Sequence, residues 1–481
     1  MFSANGLKLS GVDGRTSLQA MSLPLISRRS LLGTSAAAVL LPTTDAFART
    51  SDWKALAEDV RSEMRWSWRN YREHAWGKDQ IKPISGGSES FPLKNHHLGL
   101  SLIEALDTLW VMGLDDEFRE GVDWVKANLD FDVDGEVSVF ETSIRLVGGL
   151  LSAYHASGDP VLLAKAKDLA DRLLPSFSGS PIGIPHRYIN LRTGALRGRE
   201  TNPAETGTYI PEFGFLSRAT GDDCYRAAAK RALVSMFERR SKIGLLADSI
   251  DCMTGEWKSR RATIGPPSDS YYEYLWDGWD LLGDRDCLAM YRTCTAAILK
   301  HQPLRRGANL WFANVDFETG KPLDTEQDEL GSFYGGLLAQ GGDRELGRAH
   351  TRTWAKVQAR YGVLPESIDS TDMRALSKTN DLRPELADAA FNHWLLDRRE
   401  EWRHIVRDHY LAMKRWNKAR YGYADLADVT ASLKVQSDHC PGYWWSEQMK
   451  YYYLIFADTP RVDYGRLYLS TEGNILRGLR R

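Results

Sequence analysis

Val137-Ser-Val-Phe-Glu141-Thr-Ser-Ile-Arg145-Leu-Val-Gly-Gly-Leu-Leu-Ser-Ala-Tyr-His-Ala-Ser-Gly158-Asp159 decides the fold of this 481-residue chain. After Arg145 the run is apolar and closes on a glycine, the pattern of a buried helix with a left-handed stop, and Asp159 is placed to cap the helix that follows. Glu141 falls in the first turn, beside amides that have no partner within the helix. A single acid there would merely complement the helix dipole, an effect of roughly 0.3–1 kcal/mol. The phrase recurs, however. Apolar runs also close at Gly113, Gly221-Asp222, Gly283-Asp284, Gly342-Asp343, Asp397 and Asp458, and each but the last leads into a segment rich in Lys, Arg, Glu and Ala.

These turns are spaced roughly 45 to 63 residues apart and predict about seven buried and seven amphipathic helices. An amphipathic helix from Ser51 to about Trp76 opens the series, followed by a Gly- and Ser-rich loop and an apolar helix from Leu98 to Gly113. An alternating array closes most naturally into an all-α toroid with the apolar helices inside. A linear solenoid is the alternative, but its repeats are usually shorter, about 20 to 50 residues, and keep similar loops. The loops entering the inner helices here are long and irregular, which suits a binding mouth. Strand-like runs at 182–190, 244–250, 310–315 and 466–473 read as hairpins at one end of the toroid. No Pro-, Ser- or Gly-rich linker divides residues 49–481, so a single domain is expected.

With 26% charged residues and a net charge of −2, the chain offers no basic field for nucleic acid. The five cysteines form no CxxC pair and no regular metal-ligand spacing, which argues against zinc. Cys287 and Cys294 stand two helical turns apart, roughly 10 Å, too far to bond to each other. Near the N-terminus, Ser27-Arg28-Arg29-Ser30-Leu31-Leu32-Gly33 precedes a short apolar run and an Ala46-Phe47-Ala48 cleavage pattern. Together these resemble a twin-arginine export signal over residues 1–48, with Met21 an alternative start. The apolar run is too short for a membrane anchor, so a periplasmic or secreted, monomeric protein is expected.

Parallel inner helices would bring their N-terminal ends to one mouth, and acids stand there repeatedly. Glu141 opens the second, Pro211-Glu212 the third, Asp269 the fourth, Pro384-Glu385 the sixth, and Glu447 enters the seventh. Proline before Glu212 and Glu385 suits the first helical position. Five acids on one rim need bases, a cation or protonation to offset them, and Arg145 and Arg383 supply part of this. A carboxylate-lined mouth with pKa values pushed apart suits glycosidic bond hydrolysis, which needs one protonated acid and one ionised base or nucleophile. Tyr443, Trp444 and Trp445 are candidates for stacking on a sugar ring.

Six motifs in order now carry a resemblance: Ala75-Trp-Gly-Lys-Asp79, Leu100-Ser-Leu-Ile-Glu-Ala-Leu-Asp107-Thr-Leu-Trp110, the opening stretch to Arg145, Asp269-Ser-Tyr-Tyr-Glu-Tyr274, Leu382-Arg-Pro-Glu385 and Ser470-Thr-Glu472. The chain resembles the class I α-1,2-mannosidases, family 47 of the glycoside hydrolases. The resemblance implies an (α/α)7 barrel that inverts the anomeric carbon by direct attack of water on an α-mannoside or mannose-rich glycan. It implies Glu141 as the acid, acting through a water, Glu385 as the base and Asp269 as a third carboxylate. It also implies one Ca²⁺ held by the hydroxyl and carbonyl of Thr471, with waters held by surrounding carboxylates. Arg145, Glu212, Glu329, Arg383, Tyr443, Glu447 and Glu472 are expected to touch the substrate. Four positions depart from the pattern. Glu329 stands where His is common in the fifth inner helix, and Ser332 replaces a Cys, which removes the usual disulfide. Gly473-Asn474-Ile475 replaces Ala-His-Pro, and Pro267 stands where some members carry an Arg that selects the glycan branch.

Two other readings compete: a non-catalytic glycan-binding protein on the same scaffold, and a toroid enzyme of different chemistry such as a lyase or epimerase. Intact Glu141, Asp269 and Glu385 oppose the first. The second would favour a Tyr or His base, and none of the eleven His lies in the rim motifs.

Overall fold

Apolar and amphipathic segments alternate along the chain, and so do the helices they form. The computed structural model describes residues 52–458 and 460–480, so the export-signal reading of residues 1–48 lies outside it. Seven inner helices span Leu100–Val111, 139–157, Ile210–Thr220, Asp269–Leu282, 329–340, Glu385–Asp397 and 444–456. Seven outer helices span Trp53–His74, Asp115–Asn128, Pro160–Leu173, Cys224–Glu238, Arg285–His301, Arg344–Tyr361 and Glu400–Trp416. Every residue of the first inner helix is buried. The last outer helix instead buries the one-sided stripe Trp402, Val406, His409, Tyr410 and Met413. The first outer helix packs on the seventh inner one, which packs in turn on the first inner helix, so the ring closes and is not a solenoid. The fold is an all-α (α/α)7 barrel.

The stops work largely as read. Gly158, Gly221 and Gly283 hold φ of 74°, 78° and 72°. Asp159 accepts the amide of Val161 at 3.0 Å, and Asp284 those of Asp286 and Cys287 at 3.0 and 3.2 Å. Asp343 makes no such cap, and at the sixth inner helix the left-handed stop is Arg398 at φ 55°. The prolines sit slightly off expectation: Pro211 is the second helical residue and Pro384 caps its helix from outside.

Strands are short and gather where outer helices lead into inner ones. Glu136–Ser138 pairs with Tyr188–Asn190, Glu200–Thr201 with Ile250–Asp251, Arg261–Ala262 with Val315–Asp316, and Glu326–Asp328 with Ser367–Asp369. Each pair joins one mouth loop to the next, so the strands staple the mouth. Each expected strand run holds strand over part of its length, at Tyr188–Asn190, Ile250–Asp251, Asn309–Phe312 with Val315–Asp316, and Tyr468–Leu469; the first two are shortened where Gly183 and Gly244, at φ 78° and 90°, turn the backbone. Three inner helices open irregularly, on π turns at Thr142–Val147 and Trp444–Gln448 and a 3₁₀ turn at Glu329–Phe333. Such irregular turns redirect side chains and are frequent at functional sites.

The C-terminal hairpin, Tyr468–Leu469 against Ile475–Arg477, is tied to the inner ring. The Ile475 amide donates to Asp107 Oδ2 at 3.0 Å, and Asn474 Nδ2 to the Ile144 carbonyl at 2.9 Å. Buried Lys450 pairs with Asp107 at 2.7 Å and donates to the Gly473 carbonyl. Gly473 has φ 67°, and a Cβ there would come within 2.9 Å of the Ser446 carbonyl. These ties hold the intervening turn, Ser470-Thr471-Glu472, at the floor of the barrel mouth. All five cysteines are unpaired, and no helix among the described residues is long and apolar enough to cross a membrane.

Candidate active site

A cavity of about 310 Å³ opens at this mouth, near the lower end of small-molecule sites, which run roughly 300–1,000 Å³. Glu141, Asp269, Glu385, Arg145, Arg383, Tyr443, Glu447, Glu472 and Thr471 all line it. They come from four inner helices, the loop before the sixth and the terminal hairpin, and converge because those helix N-termini share one end of the barrel.

Arg145 organises one side. Its Nε donates to Glu141 Oε2 at 2.7 Å, and its Nη1 to Glu104 Oε1 at 3.0 Å and to Glu472. The Glu141 amide donates to the hydroxyl of Ser138, which caps that helix, at 3.3 Å. Arg383 organises the other side, with Nε bonded to Glu366 Oε2 at 3.0 Å. Tyr443 lies between the two guanidinium groups, 5.5 and 5.3 Å from its ring centre, and its hydroxyl donates to the Asp381 carbonyl at 2.5 Å.

Burial pushes the Glu385 carboxyl up to about 7, against the pull of Arg383. Burial likewise raises Asp269 to about 6 despite the Ser270 amide and Arg383. Glu447 is driven well above the carboxylate range by burial and by the charges of Glu472 and Glu385. The Glu385 carboxyl accepts a hydrogen bond from Glu329 when that neighbour is protonated, and it faces the cavity, where water or a sugar hydroxyl can also reach it.

Four of the candidate residues lie off the cavity wall. Glu212 and Glu329 stand behind it and are not among its lining residues. Glu212 is fully buried in its helix, accepts the Tyr274 hydroxyl at 2.7 Å, and is pushed by burial up to about 8. Glu329 is fully buried in its 3₁₀ turn against Glu385, to which it donates a hydrogen bond when protonated, and is driven well up by burial and by the Glu385 charge. Trp444 and Trp445 are core residues. Trp444 stacks on Tyr423 at 4.9 Å and Trp445 meets Trp68 edge-on at 6.2 Å, because the π turn directs both indoles outward from the cavity.

The cavity also holds two deeper carboxylates and a phenol to which the motifs assign no role. Glu273, Asp388 and Tyr451 follow Asp269, Glu385 and Glu447 by four, three and four residues, so they share the same helix face one turn deeper. That spacing was sufficient to find them. Burial raises Asp388 to about 7, and Glu273 is driven well above the ordinary range by burial and by Asp388. Around Thr471 the donors are therefore oxygens alone, with excess negative charge and no lysine among the cavity-lining residues. This set suits a hard cation. Among the described residues no three His, Cys, Asp or Glu side chains converge to ligate a metal directly, so the carboxylates would serve through water.

The sequence profile of the family described as Glycosyl hydrolase family 47 matches residues 63–478. Alpha-mannosidase I MNS5 of Arabidopsis thaliana is 33% identical over 451 residues, covering 88% of this chain and 77% of that protein. Mannosyl-oligosaccharide 1,2-alpha-mannosidase IB of Homo sapiens is 31% identical over 456 residues, covering 89% of this chain and 70% of that protein. Among solved structures, an alpha-1,2-mannosidase from Trichoderma reesei superposes with a TM-score of 0.80 at 23% identity, covering 89% of this chain and 99% of that one.

Proposed function

Since the chain belongs to glycosyl hydrolase family 47 and is a glycoside hydrolase, we propose that it removes terminal α-1,2-linked mannose from mannose-rich glycans with inversion, assisted by Ca²⁺. The observation that carries the reading is the meeting of Glu141 and Glu385, from separate inner helices, on one cavity with Asp269. Arg145 holds Glu141 Oε2, which leaves Oε1 to serve the leaving oxygen through a water. Glu385, raised to about 7, is a strong enough base to take a proton from the attacking water near neutral pH. Asp269 orients water in the same cavity. Arg145, Arg383, Tyr443, Glu447 and Glu472 offer the mixed donors and acceptors that a polyhydroxylated ring requires.

Thr471 would hold Ca²⁺, with Glu273, Asp388, Glu447 and Glu472 positioned to hold its waters. When bound, the ion supplies a hard Lewis acid that grips vicinal hydroxyls and favours a distorted ring. We place the working enzyme in the periplasm or outside the cell, on the strength of the export pattern in residues 1–48, as a single-domain monomer.

A lyase or epimerase is disfavoured because no His lines the cavity, the Tyr443 hydroxyl is engaged by the Asp381 carbonyl, and the Tyr451 hydroxyl is engaged by Asp388. Incubation with mannobioses of α-1,2, α-1,3 and α-1,6 linkage tests the assignment. Mannose release from the α-1,2 isomer at a rate at least about tenfold above the others is expected, and equal or no cleavage of it would refute the linkage.

A further inference from the structure

The cavity wall nearest Glu141 carries a cation that the reaction steps above do not use. Arg187 immediately precedes the strand Tyr188–Asn190, and its carbonyl accepts the Val139 amide at 3.0 Å, which ties it to the first turn of the helix bearing Glu141. Its guanidinium lies 2.9 Å from Glu205 and 5.5 Å from the centre of the Tyr188 ring. The Arg187 side chain remains 43% exposed, whereas that of Glu205 is 11% exposed. Glu205 is fixed in turn: its other oxygen accepts the Thr201 hydroxyl at 3.3 Å and its amide donates to Asn202 at 2.8 Å. A pinned acceptor thus presents an accessible donor to the mouth. Pro266, Pro267 and Ala204, which also line the mouth, add no polar side-chain atom.

The leaving oxygen must lie within reach of Glu141, so the leaving sugar rests against whatever is tied to that first turn. We propose that Arg187 and Glu205 form the subsite for the leaving sugar, with Arg187 donating to and Glu205 accepting from neighbouring hydroxyls. This inference rests on the mannosidase reading.

The test compares α-1,2-mannobiose, which has a leaving sugar, with α-mannosyl fluoride, which has none. In Arg187→Ala, and separately in Glu205→Gln, the ratio of kcat/KM on mannobiose to that on the fluoride falls at least about tenfold, the scale of a lost charged hydrogen bond. The fall comes chiefly through KM. A merely structural role would lower both substrates together and leave the ratio unchanged, which overturns the subsite while the mannosidase reading stands. If the parent enzyme cleaves neither substrate, the mannosidase reading itself fails and the subsite with it.

Discussion

Glu385→Gln and Glu141→Gln each lower kcat at least about a hundredfold while the protein stays folded, because general acid and base groups contribute factors of roughly 10² to 10⁴. Both substitutions keep the side chain's shape. A Gln at 385 keeps an oxygen to accept from Glu329 and removes one of two facing carboxyls. In the Glu141 variant Arg145 keeps Glu104 and Glu472 as counter-charges, so no buried cation is stranded. Steady-state rates on α-1,2-mannobiose, with circular dichroism and thermal melts as controls for folding, decide the matter. Near-full turnover in either variant would remove that residue from the mechanism.

Chelation has the second large effect: it abolishes activity and lowers the melting temperature, and readdition of Ca²⁺ restores both. A ligand that binds only the folded state stabilises it by mass action. The pH dependence adds an independent signature. Glu212 is raised to about 8, and Asp388 and Glu385 to about 7, all chiefly by burial. Between about pH 4 and 8 these groups bind more protons in the folded than in the unfolded chain, so the stability of chelated protein falls as pH rises through that window. A cation favours their ionised forms, so the stabilisation by Ca²⁺ grows with pH over the same range. Thr471→Val weakens binding without unfolding the chain, since the Asp107–Lys450 pair still anchors the hairpin. Extensively chelated protein that kept its activity and its melting temperature would contradict the cation assignment.

The barrel was legible because its signal repeats. Glycine stops, aspartate caps and alternating burial recur along most of the staves, and a local misreading such as Asp343 leaves the periodicity intact. The mouth acids were legible for the same reason, each standing at a predicted helix start. Legibility failed where side-chain direction depends on irregular backbone. The π turn at Trp444–Gln448 sends two indoles into the core while Glu447 faces the cavity, and no periodicity announces that turn. Glu329 and Glu212 begin helices like their neighbours but are turned into the protein, a distinction set by packing against Tyr274 and against the neighbouring acids. Arg187 meets Glu205 within one mouth loop, which folds back through the hairpin of Tyr188–Asn190 on Leu196–Arg197, and the register of so short a hairpin has no signature in the sequence.

The account stands or falls on Glu385 activating water while Glu141 serves the leaving oxygen, because direct attack of water is a single displacement. Proton NMR of α-1,2-mannobiose hydrolysis, recorded within the first turnovers and before mutarotation, reads the anomer released. The arrangement predicts β-mannose first, with the α anomer growing in later. Initial release of α-mannose would mean a covalent intermediate and a different pair of carboxylates.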